Sequence, residues 1–276
     1  MAQRRKWNKT LVIQEIKLLN FKLGRKPSKR DSSNLYSLTR QYFGSWNNAL
    51  NRAGFKVNFL QVPSIPQKLN EDLAYLIGLI ITDGHIVYED TPGRYKVLIY
   101  SSYPEEKELI IALIQKLFKY SPGVSIRKNI GFSKKPNYEV RISSKNVAEF
   151  FINKIKIPSG AKSKIVRVPP YLFVMDKKII SSFVRGIIDG DGSIAKSHVK
   201  IASGSIKFLE DFKRLLNRIN INSGNITSEK NSGTFILYLS SKDNLSRLYH
   251  LLYDSHGYSY PRKKRSWEDL KNRCES

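Results

Sequence analysis

Residues 73–84, LAYLIGLIITDG, decide the fold, because the chain repeats them at residues 182–192 as SFVRGIIDGDG. The shared core runs Gly78-Leu79-Ile80-x-x-Asp83-Gly84 against Gly186-Ile187-Ile188-x-x-Asp191-Gly192, with the two aspartates 108 residues apart. Each copy is apolar enough for a buried helix, and a glycine follows its last acid, where helices commonly stop. Small residues recur at every fourth position: Ala74, Gly78 and Thr82, then Ser182, Gly186 and Gly190. Such a stripe lets two helix backbones approach closely, so the copies are expected to pack on each other. A mid-helix glycine costs about 1 kcal/mol against alanine, which gives Gly78 and Gly186 a packing role.

Asp83 and Asp191 would then lie side by side at the foot of a helix pair. A helix C-terminus is partly negative, and two carboxylates repel each other there. A divalent cation between them relieves both conflicts, and an oxygen-only ligand set suits Mg²⁺. The two segments resemble the paired motifs of the LAGLIDADG homing endonucleases in their single-chain, two-motif form, over roughly residues 70–265. That resemblance implies that each motif aspartate binds divalent metal, two or more ions in all, at the scissile phosphates of one DNA duplex. Ile81 stands where the second copy has Asp189, a position to which the resemblance attaches little weight.

A net charge of +25 and a pI near 10 point to a polyanionic partner, foremost nucleic acid. One cysteine, Cys274, excludes an internal disulfide and a cysteine-based zinc site. The longest apolar run, residues 73–82, is too short to span a bilayer, and the first ten residues lack the apolar core of a signal peptide. An intracellular, DNA-associated protein is expected.

Residues 1–57 carry 13 Lys and Arg against 2 Asp and Glu, so this short segment supplies +11 of the charge. Its apolar spacing predicts helices over about 10–23, from Ser28 to Gly44, and from Trp46 to Gly54. The string GRKPSKRDSSNLYSLTRQYFGSWNNALNRAGF also resembles the small helical repeat found appended to homing endonucleases. Arg25, Lys26, Lys29 and Arg30 are its candidate DNA contacts. Residues 58–69, with two prolines, read as a linker.

Beyond Gly84 the pattern alternates between strand and helix. Strands are expected at 95–101, 124–129 and 138–143, with helices at 105–120 and 146–155. The second half replays that order, with strands at 199–203, 225–229 and 235–240 and helices at 206–219 and 243–253. The architecture is therefore α+β: two pseudo-two-fold-related αββαββα halves, 70–167 and 168–276, packed through the motif helices behind a small N-terminal all-α module, 1–57. Both motif copies in one chain predict a monomer.

An antiparallel sheet packed on helices leaves one face free, and two such sheets would form a saddle for a DNA duplex. Outward strand positions would read the major groove, with Lys96, Arg127, Lys128, Arg141, Lys196, His198 and Lys200 as candidates. Single charges on such faces contact phosphate more often than bases. Metal ions on carboxylates can hydrolyse phosphodiesters without a protein nucleophile. Two aspartates, one per half, would serve opposite strands. Similarity to the family directs attention to the end of each half, where Lys162 and Lys263 could offset transition-state charge. Both lie in lysine clusters whose simpler reading is phosphate binding. Where some relatives carry an amide and a lysine after the first motif, this chain has Ser101 and Ser102. The histidines show no metal-ligand spacing.

The expected activity is site-specific double-strand DNA cleavage by a free-standing, intron-encoded enzyme. The alternatives are a catalytically silent DNA-binding regulator and an RNA-binding maturase acting on intron RNA.

Overall fold

A computed structural model describes residues 6–57, 61–89, 94–127, 136–229, 232–254 and 257–275. It divides into two compact units, residues 1–61 and 62–276.

The first unit holds three helices: α1 (Lys9–Leu23), α2 (Ser33–Phe43) and α3 (Trp46–Arg52). Asn8, Ser32 and Ser45 cap them, each side-chain oxygen accepting a backbone N–H of the first turn. Gly24 and Gly44 end α1 and α2 in the left-handed region, at φ 63° and 74°. Val12, Ile16, Leu35, Trp46, Ala49 and Leu50 form its core. The segment before α2 is a turn rather than a helix, held by a forked Arg25–Asp31 pair at 2.7 and 2.8 Å.

The second unit contains two αββαββα layers. The first half runs α4 (Glu71–Asp83), β1 (Gly84–Tyr88), β2 (Tyr95–Ser101), α5 (Pro104–Phe118), β3 (Gly123–Arg127), β4 (Asn137–Ile142) and α6 (Lys145–Glu149), the last continued by a π-turn, Phe150–Lys154. The second runs α7 (Lys177–Asp191), β5 (Gly192–Ile194), β6 (Val199–Ser203), α8 (Ile206–Arg218), β7 (Thr227–Ser228), β8 (Phe235–Leu239) and α9 (Lys242–Tyr253). A further helix, α10 (Pro261–Glu275), follows. Both sheets are antiparallel, with strand orders β1-β2-β4-β3 and β5-β6-β8-β7.

Four expectations shift. The strands directly after each motif, β1 and β5, lie outside the spans expected for strand, because the extended glycine that ends each helix leads straight into a ladder with β2 or β6. The strand expected at 225–229 shrinks to Thr227 and Ser228, both exposed, with little apolar surface to hold a longer pairing. The helix expected at 146–155 changes to π-turn geometry halfway, where Phe150 and Phe151 are both buried. The basic run after Tyr260 begins a helix whose Trp267 and Leu270 are buried.

The motif helices α4 and α7 cross through their glycines. A methyl group on Gly186 would lie 2.3 Å from the Tyr75 carbonyl oxygen, and one on Gly78 would lie 2.8 Å from that of Phe183. No side chain fits at either position. Gly84 and Gly192 are not left-handed stops: their φ values are −99° and −68°. They are glycine because a Cβ would sit 2.5 Å from the carbonyl oxygens of Ile80 and Ile188.

Candidate active site and nucleic-acid interface

Asp83 and Asp191 are the last residues of α4 and α7, so the crossing brings them to one place. A methyl group on Gly190 would be 3.0 Å from Asp83 Oδ2, which puts that carboxylate against the backbone next to Asp191. Each acid opens into its own recess. The Asp191 recess, about 260 Å³, is walled by Thr82, Lys162, Ser203, Gly204 and Phe208. The Asp83 recess, about 250 Å³, is walled by Tyr100, Ser101, Glu106, Tyr260 and Arg262.

Both carboxylates are disfavoured as anions, Asp83 at a half-buried place and Asp191 at a more exposed one. Loss of surrounding water raises the Asp83 pKa to about 7, with Asp191 and Glu106 adding repulsion against the pull of Lys263 and Lys162. Asp191 is raised for the same first reason and lowered by the two lysines. Among the described residues no group of three His, Cys, Asp or Glu side chains is gathered into a complete ligand set. Two under-neutralised carboxylates without a complete set of protein ligands suit a cation that keeps water or phosphate oxygens as its other ligands.

Lys162 and Lys263 are only 9% and 7% exposed, so neither belongs to a solvated phosphate-binding cluster. The Lys162 ammonium donates to the Ile81 carbonyl at 2.6 Å and that of Lys263 to the Gly192 carbonyl. Burial lowers the pKa of both, while the neighbouring acids raise it. Each lysine is thus fixed to the backbone at the end of a motif helix.

Asp189, which the sequence comparison sets aside, is buried and makes three hydrogen bonds. Its carboxylate accepts from Tyr75 Oη, Tyr253 Oη and the Tyr260 N–H, all at 2.8 Å. Burial raises its pKa to about 6 against the pull of those donors and of Arg185. Asp189 therefore anchors the chain just ahead of Arg262 and Lys263. Its signal in the sequence is the acid in the second copy where the first has Ile81.

Ser101 walls the Asp83 recess with its hydroxyl already engaged by the protein. Its hydroxyl donates to Glu106 Oε2 at 2.7 Å. Ser102 lines the Asp83 recess.

The outer faces of the sheets carry most of the proposed DNA contacts. On the first, the register sets Lys96, Tyr100, Glu139, Arg141, Ser125 and Arg127 on the face opposite buried Val97, Ile99, Val140 and Ile142, with Glu139 itself buried among its neighbours there. Arg127 and Arg141 are both engaged by Glu139, at 2.5 and 3.0 Å. Lys128 lies outside the described residues. On the second, Lys200 sits on β6 with Glu229 at 3.9 Å, His198 packs edge-on to Tyr238, and Lys196 is exposed in the β5–β6 turn. His85 lies on β1 opposite Leu98. In the first unit Arg25 is tied to Asp31 and Lys26 donates to the Lys56 carbonyl at 3.0 Å, while Lys29 and Arg30 are exposed.

Residues 178–253 match a family model described as a LAGLIDADG-like domain, and residues 7–56 match the homing endonuclease associated repeat. Among curated proteins, the chain is 27% identical over 176 residues to the probable translation initiation factor IF-2 of Thermococcus kodakarensis, covering 62% of this chain and 14% of that protein. It is 26% identical over 198 residues to the DNA-directed RNA polymerase subunit Rpo1C of Methanocaldococcus jannaschii, covering 70% and 20%. It is 27% identical over 197 residues to the replication factor C small subunit of the same organism, covering 70% and 10%. The chain therefore spans a fifth or less of the length of these relatives. Among solved structures, the homing endonuclease I-DmoI in complex with DNA and Mn superposes with a TM-score of 0.54 at 23% identity, over 69% of this chain and all of that one. I-WcaI bound to its DNA recognition sequence gives 0.52 at 17%, over 73% and 88%. These likenesses establish the shared fold.

Proposed function

Because the chain carries a LAGLIDADG-like domain and a homing endonuclease associated repeat on this fold, we propose that it cleaves both strands of a DNA duplex at a specific site. The observation that carries the reading is the pair of motif aspartates, held together by backbone contact yet each facing its own recess. Asp83 and Asp191 would hold divalent cations, Mg²⁺ in the cell, which when bound supply a polarised water and charge relief at phosphorus. Hydrolysis adds the oxygen of water to phosphorus, breaks one bridging P–O bond and returns a proton to the departing oxygen.

The chain's own residues do the positioning. The basic, outward sheet faces bind the duplex and the glycine-packed helices aim the carboxylates at its two backbones. Lys162 and Lys263 place positive charge beside them where solvent screens little. The two faces differ in chemistry, Tyr100 and Arg141 on one against Lys200 and Tyr238 on the other, so the target need not be palindromic. The basic first unit adds phosphate contacts through Lys29 and Arg30.

The test is a plasmid library of random inserts incubated with Mg²⁺ or with Ca²⁺. Mg²⁺-dependent linearisation at one recovered site supports the endonuclease. Salt-sensitive retention without a break replaces it with a DNA-binding regulator, and loss of both points to structured RNA.

A further inference from the structure

The two recesses are built from the same repeat, yet they are equipped differently. In the Asp83 recess, Arg262 lies over the Tyr103 ring at 4.6 Å and its Nη2 donates to Glu106 Oε1 at 3.3 Å. Glu106 is 3% exposed, and its other oxygen is occupied by the Ser101 hydroxyl. Arg262 Nε is buried without a hydrogen-bond partner among the described residues. The guanidinium is thus clamped from one face and one edge, and it lines the cavity into which Asp83 opens.

The duplication allows an internal comparison. Tyr103 and Ser205 are the N-caps of α5 and α8, which places Glu106 opposite Phe208 three residues on. The end-of-half lysines, Lys162 and Lys263, place Arg262 opposite Ala161. Where one half sets Tyr103 and Glu106 both against Arg262, the equivalent positions of the other half are Ser205, Phe208 and Ala161, of which Phe208 lines the Asp191 recess. All three positions differ together.

Resting on the endonuclease reading above, we infer that Arg262 is a catalytic residue for one DNA strand only, with Glu106 and Tyr103 as its positioning residues. A planar guanidinium held in place can bond two oxygens of a phosphate at once, and those bonds strengthen as negative charge builds on phosphorus and the departing oxygen. It keeps its own proton throughout. The entering water loses its proton to solvent, and the departing oxygen takes one from water. Glu106 keeps the arginine from collapsing onto Asp83 when no DNA is present. Among the described residues the Asp191 recess has Lys162 in its wall and no arginine. The two strands therefore meet sites of unequal power, and loss of Arg262 converts a double-strand cutter into a nicking enzyme.

The experiment uses the full chain and a supercoiled plasmid carrying the recovered site, with each strand end-labelled in a parallel linear substrate. Wild type linearises the plasmid. Arg262→Ala and Arg262→Met are expected to slow cleavage of one strand roughly a hundredfold, the size of effect seen when one transition-state donor is removed. Nicked circle accumulates, the other strand is cut at the wild-type rate, and retention of DNA in Ca²⁺ is unchanged. Glu106→Gln slows the same strand by a smaller factor, and Arg262→Lys restores part of the loss. Equal slowing of both strands, or linear product at the wild-type rate, overturns the inference while leaving the endonuclease reading intact. A wild-type chain that breaks neither strand overturns both. Arg262 is 37% exposed at its side chain, so its truncation is compatible with folding, and a melting curve on each variant verifies this.

Discussion

The Asp189 carboxylate accepts the backbone N–H of Tyr260, 71 residues later in the chain, at 2.8 Å. This bond fastens the start of the last helix to the second motif helix, and so sets where Arg262 and Lys263 stand. Two tyrosine hydroxyls complete the same carboxylate. Asp189→Ile, which copies the residue of the first motif, would leave three buried donors without an acceptor. Each such orphan costs about 1–3 kcal/mol, and the losses overlap, so a destabilisation of roughly 3–5 kcal/mol in urea unfolding is expected. Asp189→Asn keeps one acceptor and should lose less.

Gly186→Ala drives a methyl group to 2.3 Å from a carbonyl oxygen of the partner helix. Neither backbone can retreat without parting the core, so the cost should reach or exceed the roughly 1–3 kcal/mol of ordinary overpacking. Gly24→Ala is the control: nothing lies within 4 Å, and only its φ of 63° resists a side chain. A loss of about 1 kcal/mol is expected there. Equal melting temperatures for the two variants would contradict the close crossing.

Asp83→Asn and Asp191→Asn should each abolish Mg²⁺-dependent cleavage of the strand they serve and leave DNA retention in Ca²⁺ nearly intact. The same changes remove one of two repelling carboxylates. In metal-free protein Asp83→Asn should therefore raise stability by about 1–2 kcal/mol, the usual sign of an active-site trade-off. Unaltered cleavage by both variants would sink the metal assignment.

Glu139 holds Arg127 and Arg141 on the outer face of the first sheet. Glu139→Gln releases both and removes a charge that repels phosphate. Tighter DNA retention with a steeper dependence on salt, by roughly one to two units of the log–log slope, is expected from filter binding. A weaker complex would mean that Glu139 instead orients the arginines for their contacts.

The helical repeat should show acid sensitivity traceable to one residue. Arg25 and the Ser28 N–H hold the Asp31 carboxyl well below the usual carboxylate range. The folded pKa lies below the unfolded one, so the stabilisation is full above about pH 4 and is lost as pH falls below it. Asp31→Asn should flatten that part of the pH profile, followed by circular dichroism of the full chain and assigned through signals of Trp46.

The helix pair was legible because its evidence is local: apolar runs, small residues at every fourth position and a repeated Asp-Gly. The element order of each half followed from the same kind of pattern. What stayed hidden joins distant parts of the chain. Asp189 meets Tyr75 at a separation of 114 residues, and Arg262 meets Glu106 at 156. Nothing in the spacing of YPRKKRSW marks its lysine as buried, since only the fold of α10 over α9 and β5 shelters it. Ser101 and Ser102 illustrate the reverse case. Their difference from the family pattern was visible, yet the partner that explains Ser101, Glu106, became apparent only in three dimensions.

The glycine crossing has one more consequence. Between Gly78 and Gly186 there is main chain against main chain, with no side chain to lengthen or shorten the gap. The helix pair is a gauge block. On the proposed activity the spacing of the two cuts is set there, far from the sheet faces that meet the bases. Substitutions on those faces can retune which sequence is bound while the stagger between the two breaks stays the same.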